Sequence, residues 1–165
     1  MLIVVDNVLD ADSLQVVQSY FAEEAARQMR WVDGDFEKLL GYKSALSQIL
    51  SQAARAFDLS AMVGVEQWAH YGTKPDWHVD KDEVLFKRTG ELACPICSIV
   101  FYANIDELIG GNFMMLDAHI APKTNRMIAF GPNVLHGVES YAGTRMSVAV
   151  NPWANKPEGY WCYTQ

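Results

Sequence analysis

Two histidines and an aspartate in the second half of the chain are the residues whose types and spacing could do chemistry. His78 and Asp80 stand two residues apart, and on a β-strand such residues point to the same face. His136 lies further along the chain and can complete one face of a metal ion. Two imidazoles and one carboxylate suit iron(II), because this donor set leaves coordination positions open for reactants, whereas structural zinc sites are closed.

An arginine nine residues beyond His136 adds a second chemical group to the same region. Arg145 starts a strand pattern in which Ser147 and Ala149 share its face. A guanidinium that points into a sheet lined by small residues must meet an anion, since a buried charge is costly without a partner. Its planar fork matches a carboxylate, to which the Ser147 hydroxyl can also donate. The sequence therefore predicts a carboxylate-binding pocket beside a metal site.

The remaining histidines and the cysteines have simpler interpretations. A lone histidine in a strand is usually hydrogen-bonded in the core or exposed to solvent, and we expect this of His70 and His119. Cys94 and Cys97 have the spacing of a metal-binding pair, but zinc would require Cys162 and a further ligand. We interpret them as structural or unpaired thiols, and three cysteines without a disulfide framework fit a reducing compartment.

Length and charge limit what such a site can be built into. The chain has 165 residues, half of them apolar, which supports one domain over residues 1–165. A net charge of −7 without any basic run argues against nucleic acid or anionic membranes as partners. The N-terminus has no basic leader, and no apolar run approaches the roughly 20 residues of a membrane helix. We expect a soluble, cytoplasmic protein.

Residues 1–60 carry helical periodicity after a short strand at residues 2–5. Apolar side chains recur every three or four residues from Leu14 to about Met29, behind N-cap candidates at 10–13, and again from Ser44 to about Phe57. We expect these two helices to buttress a sheet. Residues 31–43 are predicted to form a loop. The charged segments 33–43 and 81–91 are predicted loops that either cover the mouth of the site or are simply solvated.

Residues 61–165 show short β-type runs separated by turn signals. Strands are expected near 62–71, 76–80, 96–104, 112–116, 127–130, 134–139 and 144–151. The order of elements predicts a mainly β protein with N-terminal helices (α+β), in which a closed or sandwiched sheet, a jelly roll, can hold a ligand at its mouth.

Residues 62–153 resemble the iron(II)- and 2-oxoglutarate-dependent oxygenases of the prolyl 4-hydroxylase-like branch. The matching pieces are Tyr71-Gly72 shortly before His78-Val79-Asp80, the run Ser98 to Asn104, Gly110-Gly111, and Leu135-His136-Gly137-Val138 through Gly143-Thr144-Arg145 to Trp153. The resemblance implies a cupin-like double-stranded β-helix with N-terminal support helices. It also implies that iron is held by His78, Asp80 and His136, and the far carboxylate of 2-oxoglutarate by Arg145 and Ser147.

Two tyrosines have two interpretations each. Tyr71 is similar to the tyrosine that lines the co-substrate pocket of the family, and the alternative is ordinary core packing. Tyr102 also matches a family position, and here the alternative is that its neighbour Phe101 holds the inward place.

The activity implied by the resemblance is oxidative decarboxylation of 2-oxoglutarate by O2, coupled to hydroxylation of a substrate C–H bond, with ascorbate maintaining the iron. The branch implies a proline in a peptide or protein as substrate. Asn112-Phe113 stand where the family usually carries an acid and a threonine, so the substrate side of the pocket is expected to differ. The alternatives are the same chemistry on a non-proline substrate, a cupin-like metal protein without 2-oxoglutarate turnover, and an inactive peptide-binding module.

Overall fold

The computed structural model describes residues 1–34, 42–72 and 76–163. Its first part contains strand β1 (Leu2–Asp6), helix α1 (Ala11–Ala22), a 3-10 turn (Glu24–Arg27), strand β2 (Arg30–Asp33) and helix α2 (Tyr42–Ala53). Its second part contains β3 (Gly64–Tyr71), α3 (Glu83–Thr89), β4 (Ser98–Gly110), β5 (Phe113–Met115), β6 (His119–Ile120), β7 (Arg126–Phe130), β8 (His136–Val138), β9 (Tyr141–Trp153) and a 3-10 helix (Glu158–Tyr163). In the described residues, no helix is long and apolar enough to span a membrane.

Helix α1 is shorter than its apolar pattern predicts. It begins behind Asp10, whose carboxylate accepts a hydrogen bond from the amide of Ser13 at 2.7 Å. It ends at Ala22 instead of near Met29, because the Arg27 guanidinium binds the last free carbonyls, Phe21 at 2.8 Å and Ala22 at 2.6 Å. Helix ends need such partners for their unpaired carbonyl groups, so Arg27 fixes this boundary.

Two antiparallel sheets form the body of the molecule. The larger has the strand order β1-β7-β4-β9-β3-β2, and the smaller has the order β6-β5-β8. Side chains of β4 and β7 in the large sheet pack on Phe113 of the small sheet, so the two sheets lie face to face. The predicted jelly roll, a double-stranded β-helix buttressed by two helices, is confirmed.

The large sheet separates a helix-packed core from the face that carries the site. On β9, Met146, Val148 and Val150 join the core formed with α1 and α2, while Arg145 and Ser147 face the opposite way. The same alternation runs along β3, β4 and β7. Each central strand therefore packs the apolar side chains of one face against the helices and turns the polar and apolar side chains of its other face toward the small sheet.

Other local predictions also differ from the structure. Residues 76–80 do not form a strand, because β8 is only three residues long and provides a single bridge, from His136 to His78. Part of the predicted loop 31–43 is edge strand β2, paired with β3, while residues 35–41 lie outside the described residues. The predicted loop 81–91 contains helix α3, which Asp82 caps at its start and Gly90, at φ 77°, ends.

Candidate active site

The structure brings His78, Asp80 and His136 together. One ligand atom from each lies within 4.8 Å of the others. The pairing depends on the bridge between the two histidines, whose backbones exchange two hydrogen bonds of 2.9 Å. Among the described residues this is the one group of three or more histidine, cysteine, aspartate or glutamate side chains close enough to hold a metal ion.

Backbone carbonyls orient both imidazole rings of this cluster. Nδ1 of His78 lies 2.6 Å from the carbonyl oxygen of Asp76, and Nδ1 of His136 lies 2.9 Å from that of Val134. A carbonyl only accepts, so each Nδ1 donates its proton, and Nε2 is the nitrogen of each ring that faces Asp80. The two Nε2 atoms lie 3.6 and 3.7 Å from the carboxylate oxygens of Asp80. Such outer hydrogen bonds are the usual way proteins hold metal-binding histidines in place.

The charges in the cluster suit metal ligands. Burial by itself would raise the pKa of Asp80, but the nearby His78 and His136 and the hydroxyl of Ser98 hold this pKa below its usual value. Burial lowers the pKa of His136, whereas the hydrogen bond with Asp80 raises that of His78. An ionised carboxylate beside a neutral His136 imidazole is the protonation state that metal binding requires.

Aromatic packing fixes the ring of His136 from two sides. Phe113 stacks on it with centroids 5.5 Å apart and planes at 27°, and the Phe130 ring lies at 4.7 Å. Both phenylalanines are buried and belong to different sheets. The sequence analysis did not assign them this role.

Arg145 and Ser147 lie together on β9, as their spacing predicts. Arg145 is 1% exposed, and its Nη1 donates to the Ser147 hydroxyl at 2.9 Å. Its guanidinium lies 5.1 Å from the ring centre of Tyr102. Nε of Arg145 has no hydrogen-bond partner, and no carboxylate of the described residues forms an ion pair with this side chain. A buried guanidinium in this state favours an anionic ligand.

Tyr102 takes the inward position, and Phe101 packs on the helix side. The Tyr102 ring is fully buried, and its hydroxyl has no hydrogen-bond partner among the described residues. Burial raises the pKa of this phenol, so the hydroxyl stays protonated and can donate. Tyr102 and Arg145 are thus two neighbouring buried donors without acceptors among the described residues.

Tyr71 does not reach this space, which corrects its predicted place in the pocket. It lies on the face of β3 that carries Ala69 and is 44% exposed, with the Arg27 guanidinium 4.5 Å from its ring centre. The inward position belongs to its neighbour His70, whose Nε2 accepts from Trp68 Nε1 at 2.9 Å. Burial and the nearby Arg145 lower the pKa of His70 to about 4, so its imidazole is neutral.

Two connected spaces surround these residues. A narrow inner cavity of about 30 Å³ is lined by Trp68, His70, His78, Asp80, His136 and Arg145, among others. A wide groove of about 960 Å³ passes outside it and is lined by residues of β2, the 78–84 segment and residues 156–160. Trp68, His78 and Asp80 border both. The arrangement fits a small ligand held inside and a larger one reaching the cluster from the groove.

Asp82 ties together the two segments that form one side of the groove. One carboxylate oxygen accepts from the amides of Val84 at 3.1 Å and Leu85 at 3.0 Å, and the other accepts from the amide of Glu158 at 2.7 Å. A salt bridge between Arg88 and Glu158 adds to the link. Helix α3 and the 156–160 segment are therefore held in one arrangement.

Replacing Asp82 by alanine is expected to lower the free energy of unfolding by about 1–2 kcal/mol, because an N-cap and a long-range hydrogen bond are lost. Urea denaturation measures this value. Asp117→Ala, at an exposed position, is the matched control and should change it by less than about 0.5 kcal/mol. An equal loss in the two variants would contradict the role given to Asp82.

Cys94 and Cys97 form no part of the site. Cys94 and Cys97 are free thiols, and burial raises the pKa of Cys97 to about 12, so it stays protonated. The side chain of Cys162 lies outside the described part of the structure. His119 is exposed.

Comparisons with known proteins agree on the fold. No protein-family model matches the sequence, and no curated protein matches it. Among solved structures, a prolyl-4-hydroxylase from Pseudomonas putida aligns over 94% of this chain and 93% of its own, at 16% identity and a TM-score of 0.65. An oxidoreductase of the 2OG-Fe(II) oxygenase family from Burkholderia pseudomallei aligns over 94% and 85%, at 16% identity and a TM-score of 0.59.

A third similar structure contains a peptide. It is a prolyl hydroxylase from Trichoplax adhaerens in complex with a fragment of the hypoxia inducible factor oxygen degradation domain. It aligns over 99% of this chain and 87% of its own, at 12% identity and a TM-score of 0.59. The chain therefore has the double-stranded β-helix fold of prolyl hydroxylases and 2OG-Fe(II) oxygenases.

Proposed function

We propose that residues 1–165 form a single domain that acts as a 2-oxoglutarate-dependent dioxygenase. In this proposal His78, Asp80 and His136 hold iron(II), while Arg145, Ser147 and Tyr102 hold the far carboxylate of 2-oxoglutarate. The reaction is hydroxylation of a substrate C–H bond, with succinate and CO2 as co-products and ascorbate keeping the iron reduced.

One observation carries the proposal: the buried donors beside the metal-binding cluster lack acceptors. Nε of Arg145 and the hydroxyl of Tyr102 have no hydrogen-bond partner among the described residues. Unpaired buried polar groups are rare because each one costs about 1–3 kcal/mol. A carboxylate would accept from both groups, and from the Ser147 hydroxyl, whose oxygen already accepts from Arg145.

The donor set of the cluster fits iron(II). The two Nε2 atoms and the carboxylate converge within 4.8 Å, and all three residues line the inner cavity, so a metal held by them would also be within reach of a bidentate co-substrate there. When bound together, iron(II), 2-oxoglutarate and O2 supply the oxidising chemistry that a protein side chain cannot. The chain's own residues hold and orient: the Asp76 and Val134 carbonyls fix the rings, and Phe113 and Phe130 keep water from His136.

The inner cavity, at about 30 Å³, is smaller than 2-oxoglutarate. The proposal therefore requires side chains to move outward when the co-substrate binds. Trp68 is placed to do so, because it borders both the inner cavity and the groove. The main-chain positions of Arg145 and Ser147 can stay fixed, since both lie within the long strand β9, where Ser147 pairs with β3 and β4 and Arg145 pairs with β4.

The Tyr102→Phe variant tests whether the Tyr102 hydroxyl binds 2-oxoglutarate, separately from any effect on stability. Removing a buried hydroxyl without a partner should leave the free energy of unfolding unchanged or raise it, while the affinity for 2-oxoglutarate falls about tenfold. Thermal unfolding and calorimetric titration of the manganese-loaded protein measure the two quantities. Tyr71→Phe, on the other face of the sheet, should change neither. Unaltered affinity in Tyr102→Phe would exclude a bond from this hydroxyl to the co-substrate.

For the substrate we propose a proline in a peptide or protein. Two similar structures are named as prolyl hydroxylases, one of them bound to a peptide, and the groove is long and open enough for an extended chain. The alternative is the same chemistry on a non-proline substrate. It is favoured by Asn112 and Phe113, which stand where the resemblance implies an acid and a threonine. Both residues have their own contacts in this chain: the Asn112 amide donates to Glu139 at 2.8 Å, and Phe113 packs on His136.

The test is turnover. The purified protein is incubated with iron(II), ascorbate, 2-oxoglutarate and a panel of proline-containing and proline-free peptides, and succinate and a gain of one oxygen in the peptide are measured. We expect succinate that depends on the peptide and hydroxylation at proline. Hydroxylation of proline-free peptides alone would select the alternative substrate, and iron binding without any succinate would favour a cupin-like metal protein.

A further inference from the structure

The groove contains a buried carboxylate that neither the metal cluster nor the co-substrate pocket uses. Glu66 is 9% exposed and lies on the same face of β3 as Trp68 and His70. A β-strand rises about 3.3 Å per residue, so Glu66 lies roughly 13 Å from His70 along β3. His70 adjoins the Arg145 pocket, and Glu66 therefore lies at the opposite, groove end of the site.

Only neutral groups of the described residues bond to Glu66. The Tyr160 hydroxyl donates to Oε1 at 2.8 Å and the Trp153 indole to Oε2 at 3.3 Å, and no ion pair forms in the described part of the chain. Burial raises the pKa of Glu66, and the negative charge of Asp80 adds to this shift. A buried carboxylate without a counter-charge is costly, and a cation brought by a ligand would remove that cost.

Aromatic rings near Glu66 give the groove a surface suited to a cation. Trp31 and Tyr160 line the groove with ring centres 6.0 Å apart. The Lys156 ammonium lies 5.5 Å from the Trp31 ring centre, which shows that this surface accepts a positive charge. The Trp31 indole is held in place by a 2.7 Å bond to Asp33.

The other carboxylates around the groove are exposed, as Asp33 is, or already engaged. Asp82 accepts from three backbone amides, and Glu83 pairs with Lys81 at 2.6 Å. Asp80 belongs to the metal-binding cluster. Glu66 is thus the groove carboxylate that is both buried and open to a charged partner.

We propose that Glu66 determines substrate specificity by binding a cationic group, an ammonium or a guanidinium, of the substrate. The inference rests on the proposed function, which makes the groove the substrate side of the site. The two ends of the site would then select opposite charges: Arg145 takes the dicarboxylate, and Glu66 takes the basic group. A lysine or arginine near the hydroxylated residue, or a free basic amine, would provide it.

The test compares charged ligands with neutral ligands of the same shape. Proline-containing peptides with lysine or norleucine, and with arginine or citrulline, are titrated into the wild-type protein loaded with manganese and 2-oxoglutarate, and binding is followed by calorimetry. We expect the cationic member of each pair to bind about tenfold more tightly or better, as for a charge-assisted hydrogen bond. Free lysine amide and arginine amide show whether the peptide is needed. Equal binding within every pair would overturn the proposal.

Two variants test whether Glu66 is the residue that causes the preference for cationic ligands. Glu66→Gln keeps the shape and an acceptor for Tyr160, and it should reduce the preference for the cation to about twofold or less without changing 2-oxoglutarate affinity. Glu91→Gln removes the same charge at an exposed position away from the groove and should retain the full preference. A preference that survives in a folded Glu66→Gln would place the cation elsewhere. If this variant does not fold, the wild-type comparison still decides.

Failure of this inference and failure of the proposed function have different signatures. The calorimetric titration of peptides measures affinity and does not require turnover of 2-oxoglutarate. A protein that prefers cationic peptides through Glu66 but binds no 2-oxoglutarate would contradict the proposed function alone. A protein that turns over 2-oxoglutarate equally well with charged and neutral peptides would contradict the role of Glu66 alone.

Discussion

Replacing His136 by alanine is expected to abolish metal binding and all turnover. The cluster has three donors, and His136 is the one held by both sheets through Phe113 and Phe130 and by its bridge to His78. Two remaining donors, His78 and Asp80, lie on a segment without regular strand structure and cannot by themselves fix a divalent ion. Calorimetric titration with manganese measures the loss, and we expect at least about a hundredfold weaker binding.

His119→Ala is the matched control for this variant, because it removes an exposed histidine from the opposite edge strand of the same small sheet. It should bind manganese like the wild-type protein. Metal that remains stoichiometrically bound in His136→Ala, or that is lost equally in the control, would contradict the assignment of the cluster.

The second large effect is expected at Arg145. Lysine keeps the positive charge but loses the planar fork, and methionine loses both, so 2-oxoglutarate affinity should fall in the order arginine, lysine, methionine. A charge-assisted hydrogen bond contributes about 1.5–3 kcal/mol, which predicts at least about tenfold weaker binding for Arg145→Met. Titration of 2-oxoglutarate into the manganese-loaded variants measures it.

Metal affinity should stay nearly unchanged in the Arg145 variants, because no atom of Arg145 belongs to the cluster. This separation is informative, since a general loss of structure would weaken both ligands. Wild-type affinity for 2-oxoglutarate in Arg145→Met would mean that another cation holds the carboxylate. Lys123 and Arg126 are poor candidates, because both already form ion pairs with Asp6 of the edge strand β1.

The fold could be predicted because the strand pattern follows from a simple physical arrangement. Each central strand of the large sheet packs one face on the helices and turns the other to the small sheet, so apolar and functional residues alternate, as Val148 does with Ser147. Short elements were missed. Helix α3 has only seven residues, too few for a clear periodicity, although Asp82 and Gly90 were usable capping signals.

The site could be predicted where residue type alone decides. His78, Asp80, His136 and Arg145 are brought into one region, as their chemistry suggested. Tyr71 shows the limit, because a shift of one residue in register turns a strand's side chains to the other face. Val65 and Ala69 form the apolar face that Tyr71 continues, and this pattern could have identified His70 as the inward residue.

Glu66 could not be assigned from sequence for a different reason. Its role depends on which polar and charged groups surround its carboxylate after folding, and distant parts of the chain decide this. Glu66 bonds to Trp153 and Tyr160, more than eighty residues away in each case. Sequence spacing carries no information about such contacts.

The most direct test of the central claim is an anaerobic titration of wild-type protein with iron(II) and then 2-oxoglutarate, followed by visible absorption. Chelation of iron by 2-oxoglutarate in a site made by His78, Asp80 and His136 produces a metal-to-ligand charge-transfer band. We predict that this band appears and saturates at one iron and one 2-oxoglutarate per chain, and that it is absent in His136→Ala. Tight iron binding with no band at any concentration of 2-oxoglutarate would contradict the account.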